Sequence, residues 1–154
     1  MYVMLLTKNQ IYLNRNLSSK NEVINFLAKK AYELGIVENQ DKLEQELWKR
    51  EKEYSTAVQD LFAIPHSKSK NVKKSKIFVI KLNNPIDWES EDEYKVKVIF
   101  PILVPEDEAN VGYLKILSTL ATNLLEDDFK EKILEINDEN ELLNYIKNIL
   151  EVAL

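Results

Sequence analysis

Arg50-Glu51-Lys52-Glu53-Tyr54-Ser55-Thr56-Ala57-Val58-Gln59-Asp60-Leu61-Phe62-Ala63-Ile64-Pro65-His66 is the stretch from which the rest of this chain can be read. Arg50 and Lys52 lie in what reads as the last turns of a helix. Ser55-Thr56 marks a break, because both hydroxyls compete for backbone hydrogen bonds. Residues 61–64 read as a short buried strand stopped by Pro65, which cannot donate to a sheet ladder. His66, the only histidine in the protein, is therefore expected at a strand end, where side chains commonly face a cleft.

Upstream, the spacing predicts two amphipathic helices. Ser19-Lys20-Asn21-Glu22 is a capping box, followed at helical spacing by Val23, Leu27, Ala31 and Leu34, with Gly35 placed to end the helix in a left-handed conformation. A second helix starts near Asp41 and turns Leu43, Leu47 and Trp48 inward. Before both comes a strand over 10–13, with 2–6 as an arm or short strand.

Downstream, 67–76 reads as a polar linker with five lysines and no acid, the one basic patch in an acidic chain. Strands are expected over 77–82 and 94–100, with Asn83-Asn84-Pro85 as a turn and the acidic run 89–93 as a solvated connection. Pro101 and Pro105 bracket 102–104, which points to an edge strand or bulge. Three helices follow, carrying stripes of Leu114, Leu117, Ala121 and Leu124, then Phe129, Ile133 and Leu134, then Leu142, Leu143, Ile146, Ile149 and Leu150. Asp127 or Asp128 is the cap expected for the second, and Asn137 or Asp138 for the third. This order gives an α/β fold, a three-layer α/β/α sandwich with helices on both faces of a mixed parallel/antiparallel sheet. At 154 residues, 1–154 reads as a single domain.

Composition removes several chemistries. The chain has no cysteine, hence no disulfide, thiolate metal site or thiol nucleophile, which fits a reducing cytosol and a cytoplasmic protein. A formal charge of −5 argues against nucleic acid as a partner. The apolar start is too short for a signal peptide or a membrane span. The two glycines stand alone, so no phosphate-binding loop is encoded, and one histidine without cysteine makes a poor zinc set. No cofactor is called for, and no Gly-x-Ser-x-Gly elbow accompanies Ser55, Ser67 or Ser69. That leaves His66. A neutral imidazole is a good nucleophile near neutral pH and can hold a phosphoryl group, provided an arginine or backbone N–H groups stabilise the charge. On composition alone, an isolated histidine is more often a packed or surface residue, and Arg50 a helix-surface charge.

The segment Arg50-Glu51, Ser55-Thr56 and Ala63-Ile64-Pro65-His66 resembles the signature of the mannitol/fructose-type enzyme IIA domains (type 2) of the bacterial sugar phosphotransferase system. The likeness extends through Pro85-Ile86-Asp87-Trp88 to residues 114–120. It implies a cytoplasmic phosphotransferase component that accepts a phosphoryl group on His66 from the phosphocarrier protein HPr. The group would pass to a sugar-specific IIB domain, with contact to a membrane IIC component only through IIB. By the same resemblance Arg50 pairs with the phosphoryl oxygens and Thr56 is a hydrogen-bonding neighbour. The alternative is a regulatory IIA-like domain whose phosphorylation controls a transcription regulator or other partner. Two departures stand out: Leu61 where many members have glycine, and Tyr113 where many have a second histidine. Exposed apolar side chains around His66 would form a docking surface, with Phe62 and Tyr113 as candidates, although core packing is the commoner fate of a residue such as Phe62.

Overall fold

The computed structural model describes residues 5–108 and 111–153. Strand β1 (Ile11–Arg15) is followed by helices α1 (Lys20–Glu33) and α2 (Gln40–Glu53). Next come β2 (Ala57–Gln59), β3 (Leu61–Ala63), β4 (His66–Ser69), β5 (Lys76–Ile77), β6 (Val79–Asp87), β7 (Lys95–Ile99) and β8 (Ile102–Pro105). Helices α3 (Val111–Asn123), α4 (Asp127–Glu135) and α5 (Glu139–Ala153) complete the described order.

The strands form a five-stranded sheet, order β1-β6-β7-β3-β2, and a three-stranded sheet, order β4-β8-β5. In the first, β1 is parallel to β6 and β3 to β7, while β6–β7 and β2–β3 are antiparallel. The second sheet continues the first through three interrupted strands: β3 runs into β4, β7 into β8, and β5 into β6. Pro65 and Pro101 sit at two of these breaks and have no N–H to donate. Their carbonyls still accept, from Ile102 N at 2.9 Å and Phe78 N at 2.8 Å, so the chains stay aligned while the ladder breaks. His66 therefore opens a strand beyond the break, instead of ending one as the proline had suggested.

Packing falls on both faces. Phe62, Val98 and Phe100 meet Ile116, Leu120, Phe129, Ile133 and Leu142 of α3, α4 and α5. Phe78, Ile80, Ile99 and Trp88 meet Val23, Leu27, Leu43 and Leu47 of α1 and α2. Adjacent residues of one strand, Val98 and Ile99, go to opposite clusters, as the pleat requires. The α/β fold with a mixed sheet and helices on both faces is as the element order implied.

Caps follow local chemistry. The Ser19 hydroxyl accepts from Glu22 N at 3.1 Å, and Asn39, two residues before the expected start, caps α2 by accepting from Lys42 N at 3.0 Å. Asp138 accepts from Glu141 N at 2.9 Å, whereas Asp127 and Asp128 lie inside the first turn of α4, after Glu126. The buried Lys81 ammonium of β6 donates to the carbonyls of Ile133, Leu134 and Ile136 at 2.6–3.0 Å, closing the C-terminus of α4. Gly35 takes φ +72° with nothing near an added Cβ. Gly35→Ala should thus cost only the backbone term, about 1–2 kcal/mol, measurable by urea unfolding.

Four local expectations change. Residues 83–85 continue β6, running past the last pairing with β1 at Leu82 and through the register shift against β7, where Pro85 breaks no rung. Residues 102–104 belong to the central strand of the small sheet and are buried, because both prolines fall at its ends. Residues 67–76 are ordered into β4, β5 and a bridge between Val37 and Val72, with Ser67, Ser69 and Asn71 buried. In α3 the most buried residues are Tyr113, Ile116 and Leu120, with Leu124 buried just past its end and Leu117 and Ala121 partly buried as expected, while Leu114 is 60% exposed. Of the arm expected over 2–6, residues 2–4 lie outside the described residues. Leu5 is not in a strand, though its carbonyl accepts from Ile77 N at 2.9 Å.

Candidate functional site

The break at Pro65 turns the chain so that His66 bonds back to it. Its Nδ1 lies 2.8 Å from the Ile64 carbonyl, which can only accept, so Nδ1 carries the proton. Its Nε2 accepts from Arg50 Nε at 3.1 Å, and a guanidinium N–H can only donate. Both neighbours therefore select one neutral tautomer, with the lone pair on Nε2. Burial pushes the imidazole below its ordinary value and the Arg50 charge adds to this, while the Ile64 carbonyl and Glu51 oppose it. The ring is neutral at pH 7, the form that can act as a nucleophile.

Arg50 sits in the last turn of α2 and is tied twice. Besides the imidazole, its Nη1 donates to the Tyr54 carbonyl at 2.6 Å, across the helix end. Arg50 and His66, sixteen residues apart, thus meet at one point. They line an open cleft of about 570 Å³ with Glu46, Lys49, Glu53, Ser67, Lys68, Tyr113, Leu114 and Leu117. Tyr113 packs its ring 6.5 Å from the imidazole, tilted by 54°. Burial raises its phenol above the ordinary value, against a smaller pull from Arg50, so it is uncharged there at neutral pH.

Thr56 is not brought to the imidazole. It is buried, its hydroxyl donates to Glu51 Oε2, and it does not line the cleft. Its backbone explains its place: Thr56 O accepts from Ile64 N at 2.9 Å, bracing the residue whose carbonyl holds His66. Phe62 takes the core place expected for it, stacked on Phe100 at 6.5 Å, and offers no docking surface. The exposed apolar side chain at the cleft is Leu114, whose helical spacing had suggested the core. Leu61 holds φ +77°, so the chain keeps a left-handed backbone without the glycine that favours it.

Glu51 carries no role from the sequence reading, yet it is the most connected carboxylate near the site. It accepts from Lys20 Nζ at 3.3 Å, Trp88 Nε1 at 3.2 Å, Thr56 N at 3.3 Å and the Thr56 hydroxyl. Its neighbour Glu53 has the same composition signal but lies exposed, so only the adjacency to Arg50 distinguished Glu51 in the sequence. Among the described residues no three His, Cys, Asp or Glu side chains converge as a metal site, and no helix is long and apolar enough to cross a membrane.

The family model described as "Phosphoenolpyruvate-dependent sugar phosphotransferase system, EIIA 2" matches residues 4–149. The chain belongs to this family. It is 31% identical over 134 residues to the fructose-specific EIIA component of Haloferax volcanii, covering 87% of this chain and 86% of that protein. It is 29% identical over 146 residues to the multiphosphoryl transfer protein of Shigella flexneri, covering 95% of this chain but 17% of that longer protein. Among solved structures, the nitrogen regulatory protein IIA-Ntr from Neisseria meningitidis superposes with a TM-score of 0.84 at 25% identity, over 95% of this chain and 96% of that one. Enzyme IIAMTL, in its complex with phosphorylated enzyme IIBMTL from Escherichia coli, shares the fold with a TM-score of 0.75 at 18% identity, over 96% and 97%. This EIIA chain thus has the mannitol-type fold of its family.

Proposed function

We propose that this EIIA domain is a phosphocarrier that takes a phosphoryl group from HPr on His66 Nε2 and delivers it to a IIB domain. The observation that carries this reading is the fixed tautomer: the Nε2 lone pair meets a cation in an open cleft while Nδ1–H is held by Ile64. In-line attack forms the Nε2–P bond as the donor's N–P bond breaks and the donor imidazole leaves with the electron pair. The Nδ1 proton stays on the ring, bonded to the Ile64 carbonyl, which steadies the developing positive charge. Arg50 is placed to pair with the phosphoryl oxygens, where charge-assisted bonds contribute about 1.5–3 kcal/mol each. Transfer of this kind needs placement and electrostatics more than further covalent machinery. The IIB partner is supported by the Escherichia coli complex of the same fold.

Incubation with phosphoenolpyruvate, enzyme I and HPr should add one acid-labile, base-stable phosphoryl group, on Nε2 by NMR. His66→Ala should take none, and label retained in that variant would sink the assignment. A second reading, favoured by the likeness to the Neisseria nitrogen regulatory protein, is a domain whose phosphorylation controls a regulatory partner. Chase of the labelled protein with purified IIB separates the two: transfer to a IIB cysteine supports the relay, whereas retained label supports regulation.

A further inference from the structure

Among the described residues Arg50 is the cation bonded to the imidazole, and the neighbouring ring of Tyr113 brings no charge. A phosphoryl group on Nε2 carries close to two negative charges at neutral pH. We propose that Lys68 is the second cation of the phosphoryl site, closing on the phosphoryl oxygens from the same strand that presents His66. This rests on the phosphocarrier reading above and adds a binding residue to it.

The placement comes from β4. Side chains two apart on a strand share a face, with their Cα atoms about 6.6 Å apart. His66 is half-buried and Lys68 exposed on that face, and both line the one cleft, while Ser67 and Ser69 between and after them are buried. The backbone is pinned. All four residues of β4 pair in parallel with β8, His66 against Ile102 and Lys68 against Val104. The Ser69 hydroxyl donates to Glu46 Oε2 at 2.5 Å and accepts from Asn71 N at 2.9 Å, fixing the next position.

The ammonium is also available. Lys68 has no carboxylate within 4.0 Å among the described residues, although Glu46 and Glu53 share the cleft, whereas Lys70 on the same segment pairs with Glu106. A point charge on a flexible four-carbon stem can swing onto a phosphoryl group that is present only part of the time, and withdraw to solvent when the group leaves. Lys49 is the other lysine of the cleft, but it belongs to α2, one residue before Arg50, and not to the strand that carries the imidazole.

The test uses the intact protein, phosphorylated through HPr, as wild type, Lys68→Met, Lys68→Arg and Lys49→Met. Losing one charge-assisted contact shifts the phosphoryl exchange equilibrium with HPr about tenfold toward HPr in Lys68→Met. Lys68→Arg keeps most of that equilibrium, and Lys49→Met changes it less than about threefold. The second ionisation of the phosphoryl group, followed by 31P NMR, moves to higher pH in Lys68→Met only. Equal shifts in Lys68→Met and Lys49→Met would reduce the effect to diffuse surface charge and overturn the proposal, as would a Lys68→Met protein indistinguishable from wild type. Wild type that takes no phosphoryl group on His66 would instead overturn the phosphocarrier reading itself.

Discussion

Glu51→Ala loses about 3–5 kcal/mol of stability, the usual penalty for removing one partner of a buried ion pair. The carboxylate side chain is 2% exposed and its partner Lys20 6%, so the variant leaves an ammonium buried without its counter-charge. Lys20 does have other company, since its ammonium lies 5.4 Å and 5.7 Å from the rings of Trp88 and Trp48. Those faces attract a cation but do not accept its protons as a carboxylate does. The Trp88 indole, Thr56 N–H and Thr56 hydroxyl lose their acceptor in the same stroke. Glu51→Gln keeps one acceptor oxygen and should cost less. Lys20→Met combined with Glu51→Gln should recover part of that loss, because no unpaired charge then remains. Urea unfolding of the four proteins measures this, and a Glu51→Ala loss under about 1 kcal/mol would mean that Lys20 escapes to solvent. The damage should reach the site as well. Glu51 fixes the turn of helix that holds Arg50, and through Thr56 it braces Ile64, whose carbonyl holds Nδ1 of His66.

How much of this was legible depends on how local the cause is. Ser19 and Gly35 read correctly, and Asp138 is one of the two caps expected for the last helix, because a cap is decided within one turn of helix. The inward face of α3 read only in part, because Leu114 and Leu117 repeat at helical spacing as well as Tyr113, Ile116 and Leu120 do. Only the neighbouring sheet decides which row is covered. Pro101 and Pro105 suggested an edge, yet their carbonyl and terminal positions let 102–104 run down the middle of a sheet. At the site, residue types alone favoured a packed or surface histidine and a helix-surface arginine, and only the family resemblance singled out Arg50 and His66 together, a pair the structure brings into contact. What no sequence pattern holds is the direction of each ring nitrogen, which comes from a carbonyl two residues back and a guanidinium sixteen residues away. The place of Thr56 was no more legible, because the partner of a hydroxyl depends on burial, and here the hydroxyl donates to Glu51.

Arg50→Met should slow phosphoryl acceptance and change its pH dependence, and the two effects have separate causes. The rate falls because the phosphoryl oxygens lose one or two charge-assisted bonds, about 10–150-fold for 1.5–3 kcal/mol. The pH effect comes from the same guanidinium acting on the free imidazole. A positive charge beside His66 disfavours imidazolium, so Arg50 helps hold the pKa below the ordinary value of 6.5, with burial the larger cause. Without it the pKa rises part of the way back. The neutral nucleophile is then lost at higher pH, and the acid limb of the rate profile moves up toward pH 6.5, with no change on the alkaline side. Arg50→Lys keeps a charge but not the Nε contact at 3.1 Å, so it should keep much of the pH profile and lose most of the rate. Titration of the His66 ring protons by NMR gives the pKa directly in all three proteins. A pKa that falls in Arg50→Met would show that the guanidinium stabilises imidazolium through some other contact, and would remove Arg50 as the group that keeps His66 ready to react.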